Sequence, residues 1–201
     1  MSINVCNNRS MASITALPSG VSAGTLVLLS TQTASSSASI EFTSGLDSTY
    51  KCYVFKFINI HPATDNVAFT VNFRDGDTNF DATKTTSAFY AYNEEAGGSQ
   101  YALTYFSSID LAQSTGDQTL NTSLGSDNDQ SLSGTMHLFN PASTTFVKHF
   151  MANTQIAQKA EFTQNVYVAG YCNVTAAIDG VKFAMSSGNI DSGTIKLYGV
   201  A

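Results

Sequence analysis

Residues 51–73 read KCYVFKFINIHPATDNVAFTVNF, and their hydrophobic period decides the fold class. In the first half apolar side chains occupy both parities, with Tyr53, Phe55 and Phe57 on one and Cys52, Val54, Ile58 and Ile60 on the other. Such a run predicts a central strand covered on both faces. His61-Pro62 interrupts it. Val67, Phe69, Val71 and Phe73 then alternate with Ala68, Thr70 and Asn72, the period of two that places the first set inward and the second outward on a half-buried strand.

The same reading extends in both directions. TLVLLSTQT (25–33) and IEFTSG (40–45) precede this pair, and RDGDTNF (74–80) is a turn leading to KTTSAFYAYNEE (84–95), closed by Ala96-Gly97-Gly98. Residues 103–130 are the least regular stretch, with a helical turn expected near Ile109–Gln113 and a polar turn in LGSDNDQS (124–131). SLSGTMHLFNP, TTFVKHFMANTQ, AEFTQNVYVAGYCN, GVKFAMSS and GTIKLYGV then follow as strands at close intervals. The expectation is an all-β chain of about nine or ten strands, burying its apolar faces as a two-sheet antiparallel β-sandwich, of which a jelly roll is one form. The domain is expected over 21–201. Residues 1–20, with Asn-Asn, Pro18 and Gly20 and no sustained period, read as an extended N-terminal arm. Its apolar residues Ile3, Val5, Met11, Ile14 and Leu17 are candidate assembly contacts, and Met11 is an alternative start.

Composition narrows the function classes. The chain has 201 residues, of which 43% are hydrophobic and only 12% charged, so exposed strand faces carry hydroxyls and amides and offer little charge repulsion to an identical neighbour. A homo-oligomer is therefore expected. Nine Lys plus Arg and a net charge of −6 argue against tracking a phosphate backbone, so no nucleic-acid partner is expected. No run approaches the length of a membrane span and the N-terminus does not resemble a signal peptide, which predicts cytoplasmic synthesis without membrane insertion. Cys6, Cys52 and Cys172 are widely spaced and odd in number, the pattern of reduced thiols, and Cys52 and Cys172 lie in apolar runs where they read as small packed side chains.

The residues that carry chemistry are sparse. His137 and His149 lie on successive strands and could face each other across a hairpin, yet no third ligand stands at a metal-site spacing, and His61 precedes a proline. Asp75, Asp77, Asp127 and Asp129 fall in turns, where aspartate caps backbone amides, and Glu94-Glu95 precedes Gly-Gly. The turns RDGDTNFD and GSDNDQS have the oxygen ligands calcium prefers but not the EF-hand spacing. Nucleophile and phosphate-loop motifs are missing, so the expectation is a protein that is not an enzyme and has no cofactor and no metal. Tyr90, Tyr92, Tyr101 and Tyr105 cluster around the Gly-Gly loop as candidates for an interface or for stacking on a glycan.

The segments FTSGLDSTYKCYVFKFINIHPATDN (42–66), HLFNPASTTFVKHF (137–150) and FAMSSGNIDSGTIKLYGV (183–200) resemble a family of fibre-like and structural proteins of marine tailed phages, including cyanophages. The similarity runs from about Leu26 to Val200. It implies a virion structural protein, localised to the virion, whose partners are capsid or tail proteins. In longer relatives the domain follows other modules; a short arm in their place fits a decoration protein or short tail or head fibre docked by that arm. The alternative is a carbohydrate-binding or host-receptor-binding module of the tail. The family transfers no catalytic residue.

Overall fold

A computed structural model describes residues 25–201. The expected arm over 1–20, with Ile3, Val5, Met11, Ile14 and Leu17, lies outside the described residues. The chain is all-β. Twelve strands run as β1 (Leu26–Thr33), β2 (Ile40–Phe42), β3 (Cys52–Pro62), β4 (Val67–Arg74), β5 (Lys84–Glu94), β6 (Tyr101–Tyr105), β7 (Gln118–Leu124), β8 (Leu132–Phe139), β9 (Lys148–Gln158), β10 (Phe162–Cys172), β11 (Gly180–Met185) and β12 (Ile190–Val200). The only helix among the described residues is a 3-10 turn at Ser107–Ile109, just ahead of the helical turn expected near Ile109–Gln113. β6 and β7 arise from the stretch that had no clear period, and they raise the strand number above the nine or ten expected.

Every strand pair is antiparallel. One run of neighbours is β1-β12-β3-β8-β9-β10-β5-β6, and a second is β7-β4-β11-β2. A single residue pair, Leu124 with Gln158, joins them at one side. On the other side Gln32 Nε2 donates to the Glu41 carbonyl at 2.5 Å, and Ser37 bridges to Ile190, so the sheet nearly closes on itself as a barrel does.

The interior forms where the two runs face each other. Phe183 of β11 is the hub, with ring centroids 5.1 Å from Phe57, 5.3 Å from Phe55, 5.8 Å from Phe69 and 6.3 Å from Phe42. Most of these contacts are edge-to-face, the arrangement that sets a ring's positive edge against its neighbour's negative face. Each buried phenylalanine contributes about 1.5–3 kcal/mol of transfer free energy. Val67, Phe69, Val71 and Phe73 are buried as their alternation predicted.

Two expectations for these central strands need correction. β3 is not covered on both faces throughout: Val54 is buried, but Ile58 is 40% exposed. A register shift between Phe57 and Ile60, with Asn59 at φ +49°, inserts the extra step that returns Ile60 to the interior. Conversely, Thr70 and Asn72 of β4 do not face solvent. Both are buried: Thr70 donates to the Ala184 carbonyl of β11 at 3.0 Å, and the segment before β7 covers Asn72, whose Nδ2 donates to the Thr115 carbonyl at 3.1 Å and to Asp117 Oδ1 at 2.7 Å.

Candidate functional site

The candidate site is built on the half of the long run that ends in β10, β5 and β6. Strand parity fixes which side chains share a face. β5 pairs with β6 so that Phe89 opposes Tyr105, Ala91 opposes Leu103 and Asn93 opposes Tyr101, while Tyr90 opposes Thr104 and Tyr92 opposes Ala102. The four tyrosines singled out in the sequence are therefore divided: Tyr101 and Tyr105 stand on the outer face, Tyr90 and Tyr92 on the inner one.

The outer face is aromatic and open. Phe89 also opposes Tyr167 of β10, and their rings stack at 4.9 Å with planes 9° apart. Continuing onto β6, Tyr101, Leu103 and Tyr105 are 68%, 72% and 62% exposed, and Met151 of β9 extends the same surface. Between Met151, His137, Phe89 and Tyr167, the small side chains of Ser87 and Ala169 leave a hollow of about 310 Å³. The Tyr105 hydroxyl donates to Asp110 Oδ2, which fixes the ring and holds the phenol above its usual range. β6 pairs with β5 alone among the described residues and carries no charge, so its free edge lacks the lysines and prolines that ordinarily discourage strand addition.

The inner face ends in a smaller groove of about 280 Å³ between Tyr90, Tyr92 and Phe162, with Gln100, Gln158 and Gln164 beside them. Tyr90 and Tyr92 stack at 5.8 Å, Tyr92 meets Phe162 edge-on at 5.8 Å, and Phe106 packs on Tyr90 at 4.4 Å. Sequence reasoning missed Phe89, Tyr167, Leu103, Phe162 and Gln164. Tyr167 was legible in principle, because an aromatic between two buried valines, Val166 and Val168, must take the opposite face.

The residues tested for chemistry stay apart. His137 opposes Met151, and His149 opposes Tyr171 on β10, so the two histidines are not partners across the hairpin; each packs on an aromatic, Phe139 and Tyr171 respectively. His61 lies 3.7 Å from Asp191 and 3.2 Å from the Asp127 carbonyl. Asp77 Oδ1 accepts from the Asn79 amide at 2.7 Å, the turn-capping role expected of it; with Asp75 and Asp81 it forms an exposed acidic group whose oxygens lie within 4.8 Å of one another. The Glu95 charge raises the Glu161 carboxyl above its ordinary range. Cys172 is fully buried, its thiol pushed up to about 12 by loss of solvent, while Cys52 is partly buried and raised for the same reason. Within the described residues no helix is long and apolar enough to cross a membrane. No protein-family model matches the chain, and no curated protein matches it.

Proposed function

We propose that the protein is a structural subunit of a tailed-phage virion, an accessory component such as a capsid decoration protein or a short tail or head fibre, without enzymatic activity of its own. The observation that carries this reading is the outer aromatic face of β10, β5 and β6, which ends in an uncharged free edge. Large apolar side chains gathered on one face and exposed at this level mark a surface that another protein covers. The resemblance of residues 42–66, 137–150 and 183–200 to phage structural proteins supplies the setting. On this reading the near-closed sheet is flattened into two layers in the manner of a sandwich or jelly roll, and the arm over 1–20 docks the subunit onto capsid or tail proteins.

Mass spectrometry of purified virions tests the reading: the protein should be present in multiple copies per particle. Its presence in infected-cell lysate together with its absence from particles would sink the proposal. Deleting residues 1–20 should abolish incorporation while leaving the domain folded; normal incorporation of the truncated chain would refute the arm's role.

A second reading, a host-glycan or receptor-binding module, is favoured by the inner groove, where aromatic rings and amides converge without a charged side chain in the lining. The two roles coexist readily in a particle's surface protein.

A further inference from the structure

We infer that the groove between Tyr90, Tyr92 and Phe162 is a binding site for a single ring of a neutral saccharide, held by aromatic packing on its C–H face and by glutamine amides on its hydroxyls. This rests on the receptor-binding reading above and gives it a place and a ligand class.

The lining consists of three aromatic side chains and three primary amides. The paired tyrosines, 21° from parallel, and Phe162, at 69° to Tyr92, form two walls of different orientation. The aromatic faces are electron-rich and apolar, suited to the weakly positive C–H groups of a pyranose. At about 280 Å³ the groove falls just below the roughly 300–1,000 Å³ of sites that enclose drug-sized ligands, which suits one sugar ring and not a longer segment.

The amides supply direction. Gln158 Nε2 donates to Gln164 Oε1 at 2.8 Å, which orients the Gln164 amide. Gln164 is 3% exposed, and its side chain forms part of the groove wall. Each primary amide carries both donor and acceptor groups, which matches a sugar hydroxyl that donates and accepts at once. At the groove's end Gln100 Nε2 donates to Glu94 Oε1 at 3.3 Å, and Glu95 and Glu161 adjoin Glu94 and Phe162 along the chain. Their negative field disfavours sialylated or uronic-acid chains and leaves neutral hexose or N-acetylhexosamine as the ligand class.

The test uses the full chain. Titration with neutral hexose and N-acetylhexosamine oligosaccharides, followed by NMR, should shift the Gln164 side-chain amide protons of the wild type, a readout that needs no substitution. Tyr92→Ala, checked for an unchanged unfolding transition, should weaken binding by about tenfold or more. Leu103→Asp, on the opposite face, should bind as the wild type does. If no neutral sugar shifts any resonance at millimolar concentration, both the site and the receptor-binding reading fail. Undiminished affinity in Tyr92→Ala, or shifts confined to Tyr101 and Tyr105, overturns this site but leaves receptor binding standing. Tighter binding of anionic than of neutral saccharides overturns the ligand class.

Discussion

The ammonium of Lys84 lies buried beneath the sheet and donates to Asn72 Oδ1 at 2.6 Å, a lysine satisfied by an amide instead of a carboxylate. The Ala82 carbonyl, 2.8 Å away, is its second acceptor. Burial pulls this lysine down to about 8 from an ordinary 10.5, against the weaker upward pull of Cys172, Asp117 and Asp81 and with a small downward push from Lys182.

A pH dependence follows from that depression. Between about pH 8 and 10.5 the unfolded chain keeps the Lys84 proton and the folded chain releases it, so the Lys84 contribution to stability rises with pH across this window. Cys172 acts in the opposite sense from pH 9 upward, because its thiol stays protonated to about 12 in the fold. The Lys84 effect is therefore isolated by difference: urea unfolding at pH 7.5 and pH 10 should show wild type gaining on Lys84→Met by no more than about 3 kcal/mol. A difference between the two proteins that stays flat with pH would show that the ammonium is not desolvated.

Gly193 of β12 is required by both conformation and space. It has φ +119°, and a Cβ there would lie 2.6 Å from the Asn59 carbonyl oxygen and 2.8 Å from the Ile60 Cα. These are the backbone atoms of the β3 bulge, so no flexible side chain can yield. Gly193→Ala should cost about 3 kcal/mol or more and lower the melting temperature by more than about 5 °C. Gly97→Ala is the matched control, since Gly97 also has positive φ but its Cβ would meet nothing within 4 Å. It should cost about 1 kcal/mol. Equal losses in the two variants would place the Gly193 effect in φ alone.

The all-β class and the inward set Val67, Phe69, Val71 and Phe73 were legible in the sequence because alternation is a local property of the chain. What was hidden depends on long-range register. Tyr90 and Tyr92 share a parity, as do Tyr101 and Tyr105, but whether the pairs share a face is set by the Tyr92–Ala102 pairing across the Gly-Gly turn, which composition does not encode. The Ile58–Ile60 reversal needed a bulge that no residue type announces. β7, with sequence QTLNTSL, was unreadable as a strand because its buried Gln118 and Asn121 are paired to Thr86 and Thr154, so polarity did not signal exposure.

Cys172 occupies one row of the sheet with Lys148 on β9 and Lys84 on β5, and all three are fully buried. Although two cations flank it, desolvation dominates and the thiolate is suppressed. In a Cys6→Ser background, an aromatic disulfide reagent at pH 8 should modify Cys52 first and slowly. Cys172 should react only as fast as the molecule unfolds globally, with a rate that follows added urea. Modification of both thiols together in native buffer would mean that the end of the sheet holding Cys172 opens locally.

The exposed edge β6 leads to the last prediction. Tyr101, Leu103 and Tyr105 project to one side from a strand whose outward backbone groups have no described partner, and Phe89 and Tyr167 continue the same apolar row. Two copies meeting edge to edge through β6 would extend one sheet into the next, with leucine and tyrosine rows packing across the join. Sedimentation of the wild type should show association that increases with protein concentration. Leu103→Lys places a charge at the centre of that row and should leave a folded monomer with an unchanged melting temperature, because Leu103 is 72% exposed and contributes little to the interior. A wild type that stays monomeric at millimolar concentration would refute edge-to-edge association through β6.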